Sequence, residues 1–188
     1  MGREETGQGK GMWRQALRRF RRDRSGSTAI EFTALAIPFA LLVFAILETC
    51  ISFAGQEVLA NATDDVARQI RTGQVKKSEL DSSKLHDMIC DRLEVIVATG
   101  CPGLVFDLKE YPTFAAAAKE HIKFTSDGDI DTSGFGVTPG AAMSKNMLRV
   151  FYRWPVITDL MRRSMSSLKG GYTLHFAAVT WQNEPFDD

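Results

Sequence analysis

Histidine and cysteine are scarce in this chain, three of each in 188 residues, and much chemistry is excluded with them. His86, His121 and His175 stand at no metal-ligand spacing from one another or from a cysteine, so each is expected at the surface or half-buried and no metal is expected. A Gly-x-Ser-x-Gly elbow and a phosphate-binding loop are absent. The glycine-rich stretch Gly134-Phe135-Gly136-Val137-Thr138-Pro139-Gly140 lacks the spacing of a nucleotide fingerprint and the strand that must precede one. Asp127, Asp129 and Asp131 alternate as in a calcium loop, but an EF-hand requires glycine where Thr132 stands and a bidentate glutamate where Thr138 stands. A solvated turn is the expectation there. With no catalytic constellation left, neither an enzyme nor a cofactor is expected.

Net charge is also lacking, at a formal value of zero, yet the zero hides an asymmetry. Residues 1–26 carry eight Lys and Arg against three acids, whereas residues 27–188 carry fifteen against twenty. Between the halves lies an apolar run, Phe32 to Phe53, whose only charge is Glu48 and whose only proline is Pro38. As a helix rising about 1.5 Å per residue it is about 33 Å long, matching a hydrocarbon core of roughly 30 Å. A soluble core helix would need an amphipathic face, and this run has none. Pro38 removes one backbone hydrogen bond and is expected to kink the helix. By the positive-inside rule the basic arm stays in the cytoplasm and everything after Phe53 lies outside it, a single pass through the membrane. The position of the arm beside a spanning helix makes it topogenic rather than a nucleic-acid binder.

A secretory signal fits less well. Ala60-Asn61-Ala62 offers a small-x-small site, but the run far exceeds the usual h-region and Glu57 intrudes before the site. Arg18-Arg19-Phe20 is a twin arginine without the surrounding context.

Glu31 sits immediately before Phe32 at the start of the run, and a carboxylate moved toward the bilayer centre costs about 2.5–3.5 kcal/mol. Gly26 followed by Ser27, with Glu31 five residues after the glycine and Phe32 next, resembles the prepilin peptidase recognition sequence of type IV pilins. The basic arm, the stretch Ile30-Glu31-Phe32-Thr33-Ala34, the stem and the tail resemble in particular the TadE-like minor pilins, or pseudopilins, of tight-adherence (Tad/Flp) systems. The resemblance covers residues 24 to about 73 and returns in Leu148-Arg149-Val150-Phe151-Tyr152-Arg153-Trp154-Pro155 and Asn183-Glu184-Pro185-Phe186. It implies cleavage between Gly26 and Ser27, so that a new α-amino cation lies one helical turn from Glu31. It also implies a bacterial inner-membrane location and a set of partners: a prepilin peptidase, other major and minor pilins, an inner-membrane assembly platform and the lipid bilayer. The competing reading is an uncleaved single-span membrane protein whose outer domain binds a ligand or partner.

The organisation expected is a cytoplasmic leader at 1–26, a transmembrane stem at 27–54, an amphipathic extension of the same helix at 55–73 and an α+β domain at 74–188, periplasmic or, in a pilus, extracellular. Val58, Leu59, Ala62, Val66 and Ile70 recur at helical spacing up to the stop at Gly73. Leu85, Met88, Ile89 and Leu93 predict a second helix from about Ser82 to about Ala98. Leu104 to Tyr111 and Met147 to Trp154 alternate at the strand period, with Arg149 and Arg153 on the face opposite Leu148, Val150, Tyr152 and Trp154. Ala115 to Ala118 reads as a short helical or strand-flanking patch. A short helix around Val156 to Ser167 and a last strand from Tyr172 to Trp181 complete a small antiparallel sheet of three or four strands packed on the long helix. Cys50 is expected as inert packing in the stem. Cys90 and Cys101, eleven apart around a Gly100/Pro102 turn, are expected to close a disulfide in an oxidising compartment, worth about 2–4 kcal/mol. Spacing alone also allows two buried thiols.

Overall fold

The computed structural model describes residues 26–186, so residues 1–25 of the basic leader lie outside the described residues. Helix α1 runs unbroken from Ser27 to Arg71, through Pro38. The chain divides into two compact units, one ending at Phe44 and the other Ala45–Asp188. In the first, the described residues are helix, and Ile30, Phe32, Leu35, Phe39, Leu42 and Phe44 all face outward. Such an exposed apolar surface is one that a bilayer would cover.

In the second unit α1 acquires a buried side. Leu59, Ala62, Val66, Ala67 and Ile70 are buried, while Asn61, Asp64 and Arg68 stay exposed, the 3.6-residue stripe of an amphipathic helix. The helix ends where Gly73 adopts φ +70°. There the Glu184 amide donates to the Arg71 carbonyl at 2.9 Å, and a Cβ on Gly73 would strike the Phe186 ring. The terminal Asn-Glu-Pro-Phe segment thus closes the end of the long helix.

Helix α2, Ser82–Leu93, is capped by Asp81, whose carboxylate accepts from the Lys84 amide at 2.8 Å. It stops five residues short of the expected Ala98. Val95-Ile96-Val97 is a β-branched run that disfavours helix, and Gly100 and Cys101 turn the chain through positive φ. Arg92 of α2 donates to Asp65 of α1 at 2.7 Å, and this bond holds the Asp65 carboxyl below the usual carboxylate range. Cys90 and Cys101 are bonded to each other, with Cα atoms 5.7 Å apart, tying the end of α2 to the entry of the sheet.

The sheet contains β1 (Leu104–Tyr111), β2 (Val137–Thr138), β3 (Lys145–Pro155) and β4 (Tyr172–Gln182) in the order β2-β1-β3-β4. It is mixed rather than purely antiparallel: β1/β3 and β3/β4 pair antiparallel, but the two-residue β2 lies parallel to β1. The parallel pair arises because residues 112–136, which include helix α3 (Phe114–Ala117), cross back over the sheet before β2 pairs. Helix α4, Asp159–Met165, lies between β3 and β4.

Leu108, Leu148, Val150, Tyr152 and Trp154 join α1 and α2 in one core. The opposite face is also covered, so Arg149 is not solvated as strand alternation suggests. It bonds Asp107, its register partner on β1, at 2.6 Å and stacks under Phe135. Phe135, Phe151 and Phe176 form a ladder beside that pair, with centroids 5.4 and 4.9 Å apart. Cys50, expected to pack in the stem, is exposed on α1.

Candidate functional site

Two places on α1 carry the residues that matter. At its start, the Gly26 carbonyl accepts the Ile30 amide at 3.2 Å, so Gly26 caps the helix that Ser27 opens. Among the described residues no heavy atom lies within 4 Å of a Cβ built on Gly26, and its φ is not in the left-handed region. Nothing described in the fold therefore requires glycine at 26. Glu31 and Phe32 are exposed, and Glu31 stands at i+4 from Ser27, on the same side of the helix.

The second place is the joint between α1 and the sheet, all within Ala45–Asp188. Glu48, buried in spite of its charge, accepts the Ile157 amide at 2.5 Å, the Thr158 amide at 3.2 Å and the Thr158 hydroxyl. Four residues on, the Ser52 hydroxyl meets His175 Nε2 at 3.0 Å. Gly55 faces the Trp154 ring so closely that any Cβ would displace it, and Trp154 in turn stacks on His175 with centroids 4.9 Å apart. Gln56 takes both backbone groups of Phe176 on edge strand β4, donating to its carbonyl at 2.8 Å and accepting its amide at 3.1 Å. His175 is buried rather than half-exposed, and burial pushes its pKa down to about 4.

Sequence reasoning treated Glu48 only as the run's one charge and assigned no role to Ser52, Gly55 or Gln56. The signal was present: positions 48, 52, 55/56 and 59 continue the stripe of Ala62, Val66 and Ile70 toward the N-terminus at helical spacing.

The aspartates of the 127–131 turn do not converge. Asp127 pairs with Lys169, Asp129 with Arg153, and Asp131 accepts the Ser133 amide. Arg153 and burial act oppositely on Asp129, and the Arg153 bond prevails, lowering its pKa. Cys90, Glu94 and Cys101 cluster closely enough to suggest metal ligands, but the two cysteines are bonded to each other.

Residues 26–68 match the TadE-like protein family. The TadE-like segment begins at Gly26, contains Glu31 and Phe32, and takes in the whole joint from Glu48 to Gln56. It ends three residues before α1 does. No curated protein and no solved structure matches the chain. The TadE-like match suggests a Tad pilus-associated protein. One helix, Thr28–Arg71, is long and apolar enough to cross a membrane, which fits a single-pass membrane protein.

Proposed function

We propose that this chain is a TadE-like minor pilin, a pseudopilin, inserted with its N-terminus in the cytoplasm and cut by a prepilin peptidase between Gly26 and Ser27. It then assembles with other pilins in or beneath an adhesive Flp/Tad pilus, on an inner-membrane platform. The observation that carries the reading is Gly26. The TadE-like match starts there, yet among the described residues Gly26 meets no neighbour that would exclude a side chain, and its backbone is not in the left-handed region. A glycine that no described residue requires, at the start of a membrane-type helix, is accounted for by an external reader of the sequence. After cleavage the Ser27 α-amino group stands one turn from Glu31, in its own subunit, or meets a neighbour's Glu31.

Intact-mass measurement of the protein from its own host tests this. The mature chain is expected to begin at Ser27, and Gly26→Val is expected to block processing while leaving the melting curve of the folded unit unchanged. A full-length mature chain in cells with an active prepilin peptidase would sink the assignment.

A further inference from the structure

The end of the folded unit where α1 enters carries an unusual set of surfaces. Ile46, Leu47, Ile51 and Phe53 are exposed on the helix itself. Beside them Ile157, at the turn between β3 and α4, is 71% exposed. A groove of about 560 Å³ opens here, lined by Ile51, Val97, Pro102, Trp154, Pro155 and Ile157. Tyr172 is exposed and lines the groove, while Arg162 and Arg163 are exposed on α4 beside a separate depression that reaches Gly170 and Gly171.

The Glu48 hydrogen bonds fix the level of this turn along the helix. Glu48 precedes Phe53, the last residue of the apolar run, by five residues, about 7–8 Å at 1.5 Å per residue. Its carboxylate holds the Ile157 and Thr158 amides directly, so the turn lies at the level of Glu48, inside the run and not beyond it. Where α1 spans a membrane, the turn reaches the depth at which interfacial apolar residues bury, about 5–10 Å.

We propose that this end of the domain is seated in the leaflet where α1 leaves the membrane, with lipid as the occupant of the groove. Acyl chain covers Ile157 and Ile51, and phosphate headgroups face Arg163 and, around its 2.9 Å pair with Asp159, Arg162. Lipid is favoured over the stem of a second copy because the apolar groove lies at the level of Glu48, within the apolar run, and carries an exposed aromatic ring, Tyr172, as a membrane interface does. The Glu48 bonds also satisfy two amides and a carboxylate that would otherwise meet hydrocarbon unpaired. The inference rests on the membrane-spanning reading of α1.

The test uses the full chain carrying Cys50→Ser in nanodiscs of phosphatidylethanolamine and phosphatidylglycerol with a spin-labelled acyl chain. A fluorophore is attached through Ile157→Cys, through Leu42→Cys in the stem, or through Gln182→Cys at the opposite end of β4. Quenching at 157 is expected to exceed that at 182 by at least about twofold, with the 42 label quenched as well. Quenching at 42 but equal, weak quenching at 157 and 182 would overturn the inference and leave the span standing. No quenching at 42 would remove the span and the inference together. A label at 157 shielded from water but not quenched by lipid, and losing that shielding at one chain per disc, would make this face a contact between copies and overturn the lipid assignment.

Discussion

His175 shows how one buried side chain sets the pH range of the joint. Its ring stacks on Trp154 and meets the Ser52 hydroxyl, and burial lowers its pKa from 6.5 to about 4. Between those values the unfolded chain binds a proton that the folded chain does not, so stability falls as pH drops through this window. The slope is at most about 1.4 kcal/mol per pH unit for one group. Above about pH 6.5 His175 contributes no pH dependence, because both states hold it neutral. Thermal melts in detergent from pH 7 to 4.5 are expected to show this decline, and His175→Phe is expected to flatten it while losing the Ser52 bond. Asp65 and Asp129, both with lowered pKa, titrate mainly below this range and should leave the His175 window visible. An identical decline in His175→Phe would assign the acid sensitivity to other groups.

At the scale of elements the long helix is the organising piece, and Gly55 is where it meets the sheet most closely. In a helix interior alanine is favoured over glycine by about 1 kcal/mol, but a Cβ here would displace the Trp154 ring, and overpacking costs about 1–3 kcal/mol. Gly55→Ala is therefore expected to lower the melting temperature. In a Trp154→Leu background the same change is expected to raise it, because the propensity gain remains and the clash is gone. A same-sign effect in both backgrounds would show that the ring does not set the constraint. The helix and strands were legible because their periods are local: Leu59 to Ile70 repeats every 3.6 residues, and Leu104 to Leu108 every second. The joint was less legible, because Glu48 and Ser52 are polar residues within an apolar run, and their partners Thr158 and His175 lie more than 100 residues away. The Asp107–Arg149 pair was hidden for a related reason. Alternation predicts which residues share a face, but not that residues 112–136 return to cover it. The parallel β2, two residues long, leaves no periodic signature at all.

For the whole molecule, topology and assembly are the properties to test. With the domain outside the cytoplasm, Cys90 and Cys101 are expected to resist alkylation until a reductant is added, read by peptide mass mapping of protein purified without reductant. Free thiols at both positions would count against that placement. Glu31 separates insertion from assembly. A carboxylate costs about 2.5–3.5 kcal/mol near the bilayer centre, so removing it cannot hinder insertion and favours it slightly. If the chain is cut after Gly26 as proposed, the Ser27 α-amino group of its own or a neighbouring subunit can pair with it in a medium where charges interact strongly. Glu31→Ala is thus expected to reach the membrane fraction at wild-type level while pilus yield falls roughly tenfold or more, the consequence of losing about 1.4 kcal/mol or more at each subunit contact. Processing at Gly26, followed by mass, distinguishes an assembly defect from a cleavage defect in the same cells. Glu31→Asp, which keeps the charge but shortens its reach, is expected to fall between the two. Normal filaments from Glu31→Ala, with normal insertion and cleavage, would reduce Glu31 to an interfacial residue and separate the processing motif from any role in subunit packing.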